Sequence, residues 1–297
     1  MKIQKLISIQ ILSFILIGLL FGQDKEQDTY LLIRCDDMGM CHSLNMAIEQ
    51  VIDSGLPFST SVMFACPWYQ EAVEILKVHP EVAVGVHLTL NSEWKKYRWG
   101  PVMGRTAVPS LVDSNGYFFP SRAKLFANNP KYEEIEKELR AQIDRAVHSG
   151  IRIDYLDYHM GAAVQTEELR KLVETLAKEY HLGMSGYFNE IYSSVTYGAT
   201  LGSKSDSLLE HIQNLGPGVN LQVVHTGLQN PEMNALEDMN EFGLSEMSKN
   251  REEELKSILS PKLREIVKEK NIKLITYQDL IKKIGLENTQ RDKDTNY

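Results

Sequence analysis

Two adjacent carboxylates, Asp36 and Asp37, have the clearest chemical potential in this sequence. They follow the apolar run 31–33, which is typical of a buried strand. Adjacent side chains of an extended chain point to opposite sides, so two carboxylates could flank one site and act differently. One could bind a metal ion while the other accepts a proton. A solvated Asp-rich turn is the alternative, and the apolar strand before the pair disfavours it.

Three histidines, His87, His159 and His225, lie at or just after the ends of other short apolar runs. A histidine in such a run is more often a core residue than a ligand. The carboxyl ends of parallel strands, however, open on one face of a sheet, and active sites lie on that face. Together, Asp37, His87 and His159 would form a facial set of ligands that leaves metal positions open for water.

The metal and the remaining roles stay open at this point. Imidazole ligands suit Zn, Co, Mn or Fe, and a carboxylate also suits Mg. His225 could be a general acid for a leaving amine or a structural residue. Asp157, two residues before His159, could orient an imidazole. Arg251 could reach a carboxylate or remain solvated at a helix start, and Ser61 could line the site.

Short apolar runs alternate with helical patterns, about seven times and without a linker, which predicts parallel strands in a barrel or a doubly wound sheet. We expect one domain over residues 28–288. The irregular, aromatic 91–130 segment favours an ordered lid or insertion, and residues 289–297 form a polar tail. The first helix should begin with Ser43 as its N-cap. The strands are expected at 30–34, 58–64, 82–88, 151–158, 183–188, 219–224 and 272–276.

The N-terminal segment 1–22 has the pattern of a signal peptide. Lys2 and Lys5 precede an apolar run, and Gly22 precedes the first polar residues. The alternative is an uncleaved anchor. Cleavage would give an exported protein, periplasmic or extracellular, without membrane attachment.

The formal net charge is −8. An acidic chain without a basic stripe argues against nucleic-acid binding.

The cysteines do not indicate a disulfide framework. Cys35, Cys41 and Cys66 are three in number, so they cannot all pair within an exported chain. Cys35 lies in an apolar run and is expected to be buried. A bridge between Cys41 and Cys66 remains one alternative.

The motifs together resemble the YdjC/ChbG-like carbohydrate deacetylases, and the resemblance extends in order over nearly the whole mature chain. Its most specific parts are the runs that contain the candidate residues. They are Leu-Ile-Arg-Cys-Asp-Asp-Met-Gly at 32–39, Gly-Val-His-Leu at 85–88, Asp-Tyr-Leu-Asp-Tyr-His at 154–159, Val-His-Thr-Gly at 224–227, Arg-Glu-Glu-Glu-Leu at 251–255 and Ile-Lys-Leu-Ile-Thr-Tyr at 272–277.

This resemblance implies a distorted (β/α) barrel of about seven parallel strands, related to polysaccharide deacetylases. It implies removal of acetyl groups from N-acetylglucosamine units, as in chitooligosaccharides, and a possible homodimer. Asp36 would be the base, and one divalent ion (Mg, Zn, Mn or Co) would be held by Asp37, His87 and His159. The late histidine of the family corresponds to His225.

Several alternatives remain beside this interpretation. An O-deacetylase or another metal-dependent amidase or esterase could use the same scaffold, because fold does not fix substrate. A non-catalytic carbohydrate-binding relative is a further alternative. Trp94 and Trp99 could stack on sugar rings or belong to the core, and the residues that bind substrate are unknown.

Overall fold

The computed structural model describes residues 28–291. Its strands form one parallel sheet in the order β5-β4-β3-β2-β1-β7-β6, and β8 pairs with the start of β1. Within the described residues the end strands do not pair with each other, and the sheet curls into an incomplete barrel. The predicted distorted barrel is thus confirmed. The strands are β1 (Thr29–Met38), β2 (Ser59–Val62), β3 (Ala83–Leu88), β4 (Tyr155–Tyr158), β5 (Gly183–Met184), β6 (Glu190–Ser193), β7 (Gly218–Val224) and β8 (Lys273–Leu274).

Helices connect most of the strands and pack their apolar faces against the sheet. None of those within residues 28–291 combines the length and the apolar character that crossing a membrane requires. The predicted signal peptide lies outside the described residues and stays a prediction. The helices are α1 (His42–Asp53), α2 (Tyr69–Lys77), α3 (Arg122–Ala127), α4 (Tyr132–Val147), α5 (Glu167–Glu179), α6 (Val195–Gly198), α7 (Lys204–Gln213), α8 (Pro231–Asn234), α9 (Met247–Leu259), α10 (Pro261–Glu269) and α11 (Tyr277–Ile284).

The predicted start of the first helix is wrong by two residues. Cys41 occupies the N-cap position and makes no side-chain capping bond. The hydroxyl of Ser43 instead donates to Asn230, and its backbone N–H donates to Glu232 at 2.7 Å. A partner distant in sequence therefore satisfies an N–H group that a local cap would otherwise bind.

The 91–130 segment is ordered and packs into the core. Trp94, Trp99 and Phe118 are all buried in the main hydrophobic cluster. Of the two interpretations of Trp94 and Trp99, the core position is therefore the observed one.

The three cysteines are also buried and free, so Cys41 and Cys66 are not bridged.

Two carboxylates of helix α4 bind the backbone of the 91–130 segment. Glu138 accepts the backbone N–H groups of Val102 and Met103 at 2.9 and 3.0 Å. One turn earlier, Glu134 accepts the N–H of Ser110 at 2.7 Å. The buried carboxylates thus satisfy backbone donors that the segment's irregular conformation leaves unpaired.

Candidate metal centre and active site

The two adjacent carboxylates lie in a β-bulge of β1. Cys35 pairs with Thr60 and Met38 with Val62, so β1 uses one residue more than β2 between these positions. Asp37 has a φ of 69°, in the left-handed region that is costly for a residue with a side chain. Both aspartates lie within the strand, not after it. A bulge re-aims side chains, so the backbone here departs from the extended strand on which the expected alternation was based.

Three ligand atoms converge at the carboxyl ends of β1, β3 and β4. Asp37 Oδ1 lies 3.3 Å from His87 Nε2 and 3.3 Å from His159 Nδ1, and these nitrogens are 3.3 Å apart. All three residues are buried, and Asp37 Oδ1 has no hydrogen-bond partner among the described residues. Ligands about 2.1 Å from a tetrahedral ion lie roughly 3.4 Å apart. The predicted ligand set therefore fits one divalent cation.

A carboxylate holds the other nitrogen of each imidazole. His87 Nδ1 lies 3.0 Å from Asp157 Oδ1, and His159 Nε2 lies 3.0 Å from Glu93 Oε2. An ionised carboxylate only accepts, so each ring donates there, and in its neutral form keeps a lone pair on the nitrogen that faces Asp37. Such pairs orient metal-binding histidines.

These partners differ from the expected ones. Asp157 orients His87 and not the nearby His159, because β3 and β4 pair in a register that places Asp157 opposite His87. Glu93 is a partner that the sequence reasoning missed. It lies in the irregular 91–130 segment, where no strand-end rule applies, and an acidic residue there is most simply explained as solvated.

Arg251 reaches a carboxylate, which was one of its two predicted positions. From α9, its Nη2 atom donates to Asp37 Oδ2 at 2.7 Å. Burial alone would raise the pKa of Asp37, but Arg251 and the two histidines outweigh it and hold that pKa well below its usual value. Asp37 is therefore an anion, as a metal ligand must be.

The histidines hold protons readily when no metal is bound. Burial lowers their pKa values, but Asp157 outweighs this effect and raises the pKa of His87 well above its usual value. Glu93 and Asp37 likewise overcome burial and raise the pKa of His159 to about 9. A cation at this place would displace protons, because a histidine ligand must be neutral.

Asp36 has different partners from Asp37. Arg34 donates to both of its oxygens, at 2.6 and 2.9 Å, and donates to Ser185 at 2.7 Å through Nη1. Burial disfavours the charged guanidinium, but Asp36 and Asp157 outweigh it and raise the pKa of Arg34. A second buried group, Asp36, His87 and Asp157, also has closely spaced ligand atoms. Because Arg34 already pairs with both aspartates of this group, the group around Asp37 is the better candidate for a cation.

The sequence reasoning also missed Arg34. It precedes Asp36 by two residues in an apolar strand, so the two can lie on the same face, but the apolar pattern of this stretch indicates only a strand.

His225 directly follows β7, as expected, but among the described residues no hydrogen bond joins it to Asp37, His87 or His159. Its backbone N–H donates to Glu254 at 3.0 Å, and its ring packs edge-on against Tyr197 with 5.3 Å between centroids. Its Nδ1 atom is buried without a partner among the described residues. Glu254 and Arg251 lie one turn apart on α9, so a single helix contacts both His225 and Asp37.

Comparisons with known proteins agree with this architecture. A carbohydrate deacetylase of Enterococcus faecalis is 33% identical over 153 residues, which are 51% of this chain and 56% of that protein. One of Brevibacillus brevis is 27% identical over 265 residues, covering 84% of this chain and 99% of that protein. A crystal structure of an E. faecalis protein described as a candidate cellobiose-phosphate cleavage protein has the same fold, with a TM-score of 0.71, 23% identity and coverage of 85% and 99%.

The family model described as YdjC-like protein matches residues 30–269, which include every candidate site residue. The resemblance in the sequence motifs is thereby confirmed, and this chain belongs to the YdjC-like protein family.

Proposed function

We propose that this chain is a metal-dependent hydrolase that removes acetyl groups from N-acetylated sugars of the N-acetylglucosamine or chitooligosaccharide type. The observation that carries the proposal is the triangle of Asp37, His87 and His159, whose three facing atoms have the spacing of metal ligands. Relatives named carbohydrate deacetylases, two of them matched over almost their full length, support the choice of reaction and of substrate class.

A divalent ion held by these residues would supply Lewis-acid activation of water and of the acyl carbonyl. In this proposal, Asp36 accepts the proton of the attacking water. Arg34 fixes the orientation of the Asp36 carboxylate through both oxygens, and each oxygen keeps a further lone pair for a proton. A base held in one orientation needs no reorganisation at the moment of reaction.

His225 delivers a proton to the departing amine in this scheme. An amine is a poor leaving group unless it is protonated, so a positioned acid contributes to the rate. Glu254 anchors the backbone of His225, and the buried Lys204 lies 4.0 Å from the same carboxylate. The test compares two substrates that differ in leaving group. His225→Gln should slow release of acetate from sugar amides far more than from nitrophenyl acetate, whose leaving group needs no proton. Equal losses on both substrates would contradict the role.

The test of the whole proposal is acetate release by purified residues 23–297. The metal-free protein is given Zn²⁺, Mg²⁺, Mn²⁺ or Co²⁺ and then N-acetylglucosamine oligomers. We expect release that requires metal, that is lost in His87→Ala, and that persists in His148→Ala, which removes an exposed imidazole instead. If metal binds but acetate comes only from O-acetylated sugars, the site stands and the substrate is an ester.

We also propose that the protein acts outside the cytoplasm, because segment 1–22 has the pattern of a signal peptide. N-terminal sequencing of the protein recovered from outside the producing cells would test this. A product that begins near residue 23 is expected, and retention of Met1 in a cytoplasmic product would contradict export.

A further inference from the structure

The first residues of the 91–130 segment contact the metal centre from outside the sheet. The Glu93 carboxylate accepts from His159 Nε2 at 3.0 Å, and both side chains are buried. This contact turns Nδ1 of His159 toward Asp37, whereas His87 presents its Nε2. The orientation of one proposed ligand therefore depends on a residue that no strand positions.

The next residue, Trp94, reaches a second proposed ligand through Arg251. The guanidinium of Arg251 lies 5.8 Å from the centroid of the Trp94 ring, and its Nη2 donates to Asp37 Oδ2. Its Nε and Nη1 atoms are buried without hydrogen-bond partners in the described part of the chain. Contact with an indole face partly offsets the burial of such a cation. Trp94 thus stabilises Arg251, which in turn holds the Oδ2 atom of Asp37.

The backbone of this dipeptide is held by the loop that follows α8. Met239 N–H donates to the Glu93 carbonyl, and Lys95 N–H donates to the Glu237 carbonyl, both at 2.9 Å. Trp94 and Asp238 form the antiparallel bridge between these bonds. Neighbouring side chains of an extended stretch point to opposite sides, so one short ladder can direct Glu93 to His159 and Trp94 to Arg251.

From these contacts we infer that Glu93 and Trp94 are positioning residues, which couple the occupancy of the metal centre to the docking of the loop after α8 on the 91–130 segment. The inference rests on the metal site of the proposed function but not on its substrate. Coupling of this kind is reciprocal. Metal binding strengthens the ladder between residues 93–95 and 237–239, and a loosened ladder weakens metal binding.

Two measurements on the full mature chain test the inference with Zn²⁺ alone as the probe. The affinity for Zn²⁺ is obtained by competition with a chelator. Hydrogen exchange of the Lys95 and Met239 amides is followed with and without Zn²⁺. In the wild type we expect Zn²⁺ to slow exchange at both amides. Glu93→Gln should lower the affinity about 10- to 100-fold, as loss of a ligand's hydrogen-bond partner does, and should abolish the slowing.

Glu237→Gln is the matched control, because it makes the same chemical change on the opposite side of the ladder in an exposed side chain that pairs with Lys95. It should change neither measurement. Trp94→Phe keeps a ring face over Arg251 and should remain near wild type, whereas Trp94→Leu should lose affinity. This pair separates the role of the ring from a general loss of packing.

Each outcome decides the inference. Zn²⁺ affinity of Glu93→Gln within twofold of wild type, or exchange at Lys95 and Met239 that ignores Zn²⁺, would overturn it. A wild-type chain that binds no divalent ion would overturn it together with the proposed metal site. If the Glu93 effect is found but no acetate is released from any sugar, the inference is supported and only the proposed substrate fails.

Discussion

Two buried polar groups meet at the carboxyl ends of the strands, and they differ in how completely they are bonded. We call them the sheet network (Arg34, Asp36, Ser61, Tyr155 and Asp157) and the loop-facing group (Asp37, Glu93, His159 and Arg251). In the sheet network, every carboxylate oxygen of the two aspartates has a donor inside the network or from His87. In the loop-facing group, Asp37 Oδ1 and two nitrogens of Arg251 have no partner among the described residues.

The difference separates the group that fixes geometry from the group with room for a cation. A buried polar network that is fully bonded fixes geometry, whereas an unpaired buried group costs about 1–3 kcal/mol. A missing ion is one explanation of such an unpaired buried group. The sheet network therefore holds His87 and Asp36 in place, and the loop-facing group marks the position proposed for the cation. Four changes test this division, from the largest expected effect to the smallest.

Asp37→Asn should have the largest effect. It removes the anionic ligand and the charge partner of Arg251 together. We expect Zn²⁺ affinity to fall by more than about 100-fold, beyond the range typical of a lost hydrogen-bond partner of a ligand, and metal-dependent acetate release to disappear. Metal content after dialysis is the direct measurement. A variant that retains a full equivalent of metal would place the cation elsewhere.

Asp36→Asn should separate the two neighbouring carboxylates. Loss of a general base lowers kcat by about 10²–10⁴. Metal affinity should stay close to that of the wild type, because Asp36 pairs with Arg34 and not with the loop-facing group. Parallel measurement of kcat and of Zn²⁺ affinity decides the point. Joint loss of both would mean that the two groups act as one unit.

Gly85→Ala should damage the sheet network without touching a proposed ligand. A Cβ atom there would lie 2.4 Å from Cε2 of Tyr155, whose hydroxyl is bonded to Ser61 beside Asp157. Overpacking of this kind costs about 1–3 kcal/mol, which urea unfolding would detect. Gly216→Ala is the control, because nothing lies within 4 Å of its added Cβ. Equal stability of the two variants would argue that Tyr155 has room to move.

Counted per pH unit, the smallest effect is the pH dependence of metal binding. In the metal-free chain the pKa of His159 is raised to about 9, above its usual value of about 6.5. Its proton therefore stabilises the metal-free fold below about pH 6.5, and this contribution is lost as the pH rises toward 9. Zn²⁺ affinity should increase over the same window, by up to about tenfold per pH unit for each proton displaced. Chelator competition at about pH 6.5, 7.5 and 8.5 measures it, and a flat profile would contradict protonated histidines.

Most of the candidate ligands could be found from the sequence because they obey a rule of the fold. Asp37, His87 and His159 lie at the ends of apolar runs, and parallel strands bring such ends together. The bulge at Asp37 could not be predicted, because it exists only relative to the pairing of β1 with β2. The same holds for the assignment of Asp157 to His87, which depends on the register of β3 and β4.

The missed elements and residues lack a periodic signal. Strand β6 has only four residues, with Ile191 and Tyr192 exposed, so it has little of the apolar pattern that indicates a buried strand. Glu93 lies in an irregular segment whose position is set by contacts distant in sequence. Arg251 was recognised as able to reach a carboxylate, but only the structure identifies that carboxylate as Asp37.

The acceptors on α4 have a consequence for how this family can diversify. Glu134 and Glu138 hold the 91–130 segment at Val102, Met103 and Ser110 through backbone N–H groups, which nearly every residue type possesses. Exposed positions of the segment, such as Met103 and Tyr117, can therefore change identity while the chain keeps its course. Because α4 binds the backbone and not the side chains of the segment, substitutions on the exposed surface of the segment need not disturb these contacts.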